Sequence, residues 1–377
     1  MYHVMKYFLT IFTIAFSLAT NAQAFQWAKN IIANTVDPLY GVTVTSITID
    51  QSGNLITVGS FSGTYDFDPG PGIFNLSASM NTCIFISKLD NGGNFIWAKM
   101  LGSGPGMNFN QGNSVTTDPS GNIYVTGQFQ DNMYFGGAIG IIAGGPTSSC
   151  LIFKMDSNGN YIWAKEMGGN YGAFIGSLDI DYNNNILITG HFYESIDMDP
   201  GIGTAYLASN QTGIFTAKYN SNGNYVWANC ISGIGNLGES FSVKCSKSGY
   251  VYVAGLFGNT VDFDPGAGTS MITANTTCDR FFLKYNTAGN LVWVRSFDVN
   301  EDGYMFADRI IKIALDDDEN VYLTGNFSGL VDFNPGAGVF HINAPLSTSS
   351  YLCKYTPTGH FLWAKGLIGG SVQTTDI

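Results

Sequence analysis

An all-β fold of repeated four-stranded sheets is what this sequence predicts, and three observations carry the prediction. The first is a single phrase that holds all six tryptophans: Phe25-Gln-Trp27-Ala-Lys29, Phe95-Ile-Trp97-Ala-Lys99, Tyr161-Ile-Trp163-Ala-Lys165, Tyr225-Val-Trp227-Ala-Asn229, Leu291-Val-Trp293-Val-Arg295 and Phe361-Leu-Trp363-Ala-Lys365. Its spacings are 70, 66, 64, 66 and 70 residues, the mark of a chain built by repetition. The second is composition. With 47 Gly, 12% charged residues and abundant Asn, Thr, Tyr and Phe, the chain favours strands and tight turns over helices. The third is that each repeat carries two hairpin signals, and therefore four strands.

Taken in order, Met1 to Ala24 places Lys6 before an apolar run from Tyr7 to Ala19, then Asn21-Ala-Gln-Ala24, a small-residue cleavage site. This reads as a secretory signal peptide over 1–24, because the apolar core is too short to span a membrane. Removing Lys6 moves the net charge from −12 to −13. So acidic a chain disfavours nucleic acid and anionic lipid as partners. No later stretch approaches 18 apolar residues, so no transmembrane segment is expected, and the protein is expected to be secreted or displayed at the cell surface.

Residues 25–377 are expected to form one domain, since equal repeats that share faces fold as a unit. The repeats run at about 30–99, 100–165, 166–229, 230–295 and 296–365, with a partial repeat over 366–377. In the first, Ser46-Ile-Thr-Ile-Asp50 alternates apolar and polar residues, and Asn54-Leu-Ile-Thr-Val-Gly-Ser-Phe61 resumes the pattern after a short polar turn. Gly53 in that turn takes positive φ without a steric penalty. The same grammar returns at Asp90-Asn-Gly-Gly93-Asn94, between Cys83-Ile-Phe-Ile-Ser-Lys-Leu89 and the tryptophan phrase. Later repeats keep it with tolerated changes: Asp118-Pro-Ser-Gly121-Asn122, Asn183-Asn-Asn185, Gly249, Gly289 and Gly359. Asp316-Asp-Asp-Glu-Asn320 lacks the glycine, and the turn near Glu319 is expected to be the most strained or differently shaped of the set.

Four short strands per unit, five complete units and a large aromatic at each junction match a β-propeller, whose blades pack face to face around a channel. A β-solenoid is the other geometry, but its repeats are shorter and lack two hairpins per unit. The tryptophans are expected to wedge between blades rather than serve as sugar platforms. Trp27 belongs to a final-strand phrase with no blade before it, and Gly370-Ser-Val-Gln-Thr-Thr-Asp376 resembles the first strand Ser114-Val-Thr-Thr-Asp118. Two closures follow: five blades closing on themselves, or a truncated piece of a six- or seven-bladed ring.

One motif has chemical appeal. Asp66-Phe-Asp68-Pro-Gly70, Asp197-Met-Asp199-Pro-Gly201, Asp262-Phe-Asp264-Pro-Gly266 and Asp332-Phe-Asn334-Pro-Gly336 resemble the front half of a calcium loop, with oxygen ligands at i and i+2 before a glycine turn. The second repeat is an internal control, because there the acids become Tyr134 and Gly136 while Phe135 persists. Phe67, Phe135, Met198, Phe263 and Phe333 thus read as a buried plug before a Pro-Gly turn, and calcium is the alternative use of the eight polar positions. No other cofactor is indicated.

Six cysteines in an exported chain invite disulfides, but Cys83, Cys150, Cys278 and Cys353 sit at unequal places and the third repeat has none there. Buried free thiols are expected, with Cys230 and Cys245 the one pair near enough for a local bridge. His191, His341 and His360 occupy unrelated positions; His191 and His341 read as strand surface residues. No catalytic motif is present, so catalysis is not expected, although the unrepeated acids Glu166, Glu194, Glu239 and Glu301 keep a hydrolase or lyase open.

The phrase Asp-x-x-Gly-Asn-x-Tyr-Val-Thr-Gly-x-Phe at Asp118 to Phe129, followed by Phe-x-x-Lys-x-Asp-x-x-Gly-Asn-x-x-Trp-Ala-Lys at Phe153 to Lys165, resembles the SBBP family of bacterial β-propeller repeats. The resemblance spans the mature chain and implies an exported or cell-surface protein; the Asp-Phe-Asp-Pro-Gly variant looks like those of Bacteroidetes, where a C-terminal sorting domain often follows. The family brings no common catalytic residues. The functional expectation is a binding or scaffold module for protein or glycan, with a glycan-active hydrolase or lyase, or a purely structural segment of a longer surface protein, as alternatives. An unrepeated aromatic cluster at one channel mouth would favour glycan, and an asymmetric carboxylate pair would favour catalysis.

Overall fold

The computed structural model describes residues 27–33, 41–102, 109–136, 139–144, 147–169, 171–233, 239–276, 278–298 and 311–369. The signal peptide expected over 1–24, the strand expected at 370–376 and Glu301 lie outside the described residues.

Five antiparallel sheets follow one another along the chain, each built on four strands in sequence order, with the short strand Ile32–Ala33 added to the first as a fifth. The first blade comprises Val42–Ile49, Leu55–Asp66, Asn75–Leu89 and Phe95–Leu101. The second is built from Gln111–Thr117, Ile123–Phe129, Ser149–Met155 and Tyr161–Met167. The third comprises Ala173–Ile180, Ile186–Asp197, Tyr206–Tyr219 and Tyr225–Ile231. The fourth holds Glu239–Cys245, Val251–Phe257, Asp279–Tyr285 and Leu291–Phe297. The fifth comprises Ile311–Leu315, Val321–Asp332, His341–Tyr355 and Phe361–Leu367. No described residue is helical.

Ten hairpin turns share one hydrogen-bond pattern. Asp50 N donates to Asn54 O and Gly53 N to Asp50 O, each at 2.9 Å, and the pattern recurs at Asp90, Asp118, Asp156, Asp181, Asn220, Ser246, Asn286, Asp316 and Thr356. The aspartate is there to close the turn: Asp50 Oδ1 accepts Ser52 N and Asn54 N, and Asn54 Nδ2 donates to Oδ2. Glycine holds the left-handed position in eight of the turns, with Asn184 (φ 59°) and Glu319 (φ 60°) in the other two. The turn at Glu319 therefore keeps the common shape, and its strain resides in a side chain at positive φ.

The blades meet through their first strands, which pack in succession from first to fifth blade. The apolar core accordingly lies in the seams: one cluster joins Ile56, Val58 and Leu101 to Val115 and Ile123 of the second blade, and three others do the same at the later junctions. Repeated phenylalanines at 61, 129, 192, 257 and 327 are fully buried there. Truncating one, as in Phe192→Ala, should cost about 3–5 kcal/mol through lost transfer energy and the cavity left behind. The glycine two residues before each, Gly59 for example, must lack a side chain because a Cβ would overlap the Thr43 carbonyl and the Phe85 ring.

The tryptophans are half-buried, and the first five indoles lie at the outer edge of the seams against the last turn of the following blade. Trp97 Nε1 donates to Ser157 O (3.4 Å), Trp227 to Thr287 O (3.3 Å) and Trp293 to Pro357 O (3.2 Å). All six cysteines are free thiols, and Cys230 and Cys245 are not bridged. Of the two closures left open by the sequence, five blades do not meet end to end: no extended packing joins the fifth blade to the first among the described residues.

A lysine–aspartate ion pair locks four of the blades, buried in the first and third and partly exposed in the fifth. Lys88 Nζ lies 2.9 Å from Asp50 Oδ2, and Lys154–Asp118, Lys218–Asp181 and Lys354–Asp316 repeat the arrangement at 3.7, 2.8 and 2.9 Å. In the fourth blade Ser246 and Tyr250 replace the Asp and Asn of the turn. Lys284 Nζ there sits 3.9 Å over the Tyr250 ring and donates to Pro357 O at 3.2 Å, so a cation–π contact stands in for the ion pair.

Candidate functional site at the channel mouth

The Asp-x-Asp-Pro-Gly positions were the sequence's candidate metal ligands, and each copy forms the same tied loop. Asp66 Oδ1 accepts Asp68 N (3.0 Å) and Phe74 N (2.8 Å), while Asp68 Oδ1 accepts Gly70 N (2.8 Å). Asp197 and Asp199 bind Asp199 N, Ala205 N and Gly201 N in the same way, and Asp262 and Asp264 bind Asp264 N, Ser270 N and Gly266 N. Asp332 and Asn334 complete the set. Asn334 accepts Gly336 N at 2.9 Å just as an aspartate does, so this role needs an oxygen and no charge. The four loops lie on separate blades, and no cluster of three or more His, Cys, Asp or Glu side chains occurs among the described residues. The apolar residue between the acids is buried in every repeat, from Phe67 (2% exposed) to Phe135 (7%).

The repeats differ from one another at the channel. The first four inner strands each carry a β-bulge, and the extra residue is Thr45, Asn113, Gly176 or Phe241. Bulges re-aim a side chain that regular alternation would point elsewhere. Beside them lies the residue between the repeated Gly and Phe of the second strand: Ser60, Gln128, His191, Leu256 and Asn326 in turn. The four bulged residues and two of these neighbours, Gln128 and His191, line an open hollow of about 280 Å³, to which Phe174 and Lys312 also contribute. All five blades reach it, through Thr45 in the first and Lys312 in the fifth.

Within this hollow His191 stacks on Phe174, with ring centroids 4.9 Å apart and 26° between planes, and Tyr193 meets both rings edge-on. Burial pushes the His191 imidazole down to about 4, so it is neutral at physiological pH. The sequence placed His191 on a strand surface; it lines the channel instead, because a blade is packed on both faces. His341 is exposed, as expected. Asn113 Nδ2 donates to Ile175 O (2.6 Å) and Gln128 Nε2 to Gln111 Oε1 (3.0 Å). The other ends of these amides, Asn113 Oδ1 and Gln128 Oε1, are buried acceptors with no partner.

The unrepeated acids are scattered. Glu166 is half-buried beside the third blade, where burial and Asp197 raise its pKa against a bond from Ser149; Glu194 is exposed at φ 60°. Glu239 pairs with Leu256 in the fourth blade. The three do not come together.

A family model agrees with the architecture. Residues 96–128, from the outer strand of the first blade to the second strand of the next, match the family model SBBP, described as a beta-propeller repeat. An uncharacterized WD repeat-containing protein, L264, of Acanthamoeba polyphaga mimivirus is 26% identical over 439 residues. That match covers 98% of this chain but 31% of the relative, so the chain spans under a third of its length. A crystal structure of a protein of unknown function from Bacteroides caccae aligns with a TM-score of 0.41 at 12% identity, over 86% of this chain and 82% of that one.

Proposed function

From the premise that this chain is a propeller of SBBP-type repeats, we propose that it is an exported binding module that holds a glycan at one mouth of its channel, without catalysis. Export rests on the signal-like segment before Phe25. The observation that carries the ligand class is the Phe174–His191–Tyr193 cluster beside the polar side chains of Asn113, Gln128 and Lys312 that line the same hollow. A sugar ring presents C–H groups that stack on an aromatic face and hydroxyls that bond polar side chains, and this hollow is lined by both kinds of group. The cluster belongs to one blade only; the positions matching Phe174 are Thr43, Gln111 and Glu239, which answers the need for asymmetry in a recognition site. A neutral His191 next to an aromatic ring suits contact with an uncharged ligand better than proton transfer at neutral pH.

A glycan array on the mature chain, followed by calorimetry on the best hit, tests the reading. Phe174→Ala is expected to weaken that hit at least tenfold, and Gln128→Leu by a smaller factor, with thermal midpoints close to the parent. Binding that survives both changes, or an array with no hit, overturns the proposal.

A further inference from the structure

The seam between the fourth and fifth blades carries an open groove of about 530 Å³ at its outer edge. The outer strand Leu291–Phe297, the loop after Val321–Asp332 and the last turn of the fifth blade bound it. Three of its side chains depart from what the other repeats place there. Arg295 stands where the other tryptophan phrases have Lys29, Lys99, Lys165, Asn229 and Lys365. Asn334 replaces Asp68, Asp199 and Asp264 of the tied loops, and His360 replaces Asn94, Asn160, Asn224 and Asn290 of the turns. All three line the same groove.

The exchanges move the charge in one direction. At the seam of the second and third blades the matching positions are Lys165, Glu166 and Asp199, formally one cation against two anions. Here they are Arg295, Ser296 and Asn334, and no acidic residue lines the groove among the described residues. In a chain of net charge −12 this is a local reversal. The guanidinium is also held in place: Nη1 donates to Val294 O (2.8 Å), Nη2 to Thr358 O (3.5 Å), and Cζ lies 5.6 Å from the Trp293 ring centroid. Its partners are carbonyls and a ring, and among the described residues no carboxylate pairs with it. His360 is freed from closing its turn, because Thr356 Oγ1 accepts His360 N (3.1 Å). The His360 ring meets Thr358 Oγ1 (2.9 Å), whereas Asn94 spends its side chain on Asp90.

We propose that this groove is a second ligand site, apart from the channel mouth and independent of the reading given for it, and that it takes a hexuronate, an acidic sugar whose carboxylate docks on Arg295. A guanidinium fork matches a planar carboxylate in a way an ammonium does not, and one cation balances one negative charge better than a phosphate dianion. Asn334 removes the acid that would repel such a ligand. Its Oδ1 is tied to Gly336 N (2.9 Å), so the amide nitrogen is a donor where an aspartate would present a second acceptor oxygen. Pro335, Ala337 and Phe361 supply an apolar wall for the C–H face of a sugar ring, and the volume falls within the range of small-ligand sites. An aspartate or glutamate side chain shares the carboxylate but lacks the hydroxyls that Asn334 and His360 would bond.

Calorimetry on the mature chain with sodium glucuronate at physiological salt is the test. Glucuronate should bind, while glucose, without the carboxylate, and N-acetylglutamate, without the hydroxyls, should each bind at least tenfold more weakly. Arg295→Lys and Asn334→Asp restore what other repeats carry, so both should melt with the parent; the first should weaken glucuronate at least fivefold and the second at least tenfold. Phe174→Ala at the channel mouth should leave the affinity unchanged. No binding of glucuronate, or binding that survives Asn334→Asp, overturns the proposal. So does glucose 6-phosphate or N-acetylglutamate bound as tightly as glucuronate, and so does a loss on Phe174→Ala, which would put the sugar at the channel mouth. Should a variant melt early, chemical shifts of the parent titrated with glucuronate decide: movement at Arg295, Asn334 and His360 upholds the site, and movement only elsewhere overturns it.

Discussion

Lys88→Met should expose how much the repeated lysine–aspartate lock contributes. Lys88 and Asp50 are 4% and 7% exposed, and methionine keeps the aliphatic stem while removing the charge. Breaking a buried pair by deleting one partner costs about 3–5 kcal/mol, because the remaining charge stays buried. The value here should fall near the lower limit, about 3 kcal/mol, since Asp50 retains bonds from Ser52 N, Asn54 N and Asn54 Nδ2. Part of the loss is the bond from Lys88 Nζ to Ser157 O across the seam, about 1 kcal/mol. Urea unfolding at pH 7 measures the total. Adding Asp50→Asn should recover at least half of it, because Asn220 and Asn286 close equivalent turns without charge. Burial works against the Asp50 carboxylate, yet the bonds from Asn54 and Lys88 prevail and hold its pKa below the usual 3.8. A group lowered in the folded state stabilises fully above its unfolded pKa and loses that contribution as pH falls through the folded one. The gap between parent and Lys88→Met should therefore be widest at neutral pH and narrow as acid protonates Asp50, first in the variant, whose carboxylate has lost its cation. A loss under about 1 kcal/mol, or a gap equal at pH 7 and pH 3, refutes the reasoning.

Gly159→Ala should destabilise by about 1–2 kcal/mol from positive φ alone, with a further loss because the new methyl meets the Trp97 ring; a shift in indole emission alongside urea unfolding reports both. Tyr250→Ala should remove the cation–π support of Lys284 and cost about 0.5–2 kcal/mol, which thermal melting against the parent will show. Millimolar calcium should leave the melting midpoint unchanged if the Asp-x-Asp-Pro-Gly carboxylates serve as loop ties, and a clear rise would assign them to the ion instead.

The blades were legible because their determinants are local and repeated. Asp, Gly and Asn of the turns act within five residues, and Trp marks a seam that recurs with every repeat. The channel mouth was not legible from alternation. A bulge at Asn113 or Phe241 shifts the period by one, and a sheet packed on both faces gives no solvent side to which His191 could be assigned. A signal was nonetheless present: aligned on the repeated Gly and Phe, the intervening position reads Ser60, Gln128, His191, Leu256 and Asn326. Variation in this column, and in the facing positions Thr43, Gln111, Phe174 and Glu239, marks a place where the five units differ.

That column has an evolutionary corollary. Gly190 and Phe192 hold the fold, while the residue between them faces the opening, so under the proposed function a single base change at 191 or 128 would alter what is recognised without touching the seams. A molecule arranged in this way can acquire new specificities by small steps, each tried against an unaltered frame.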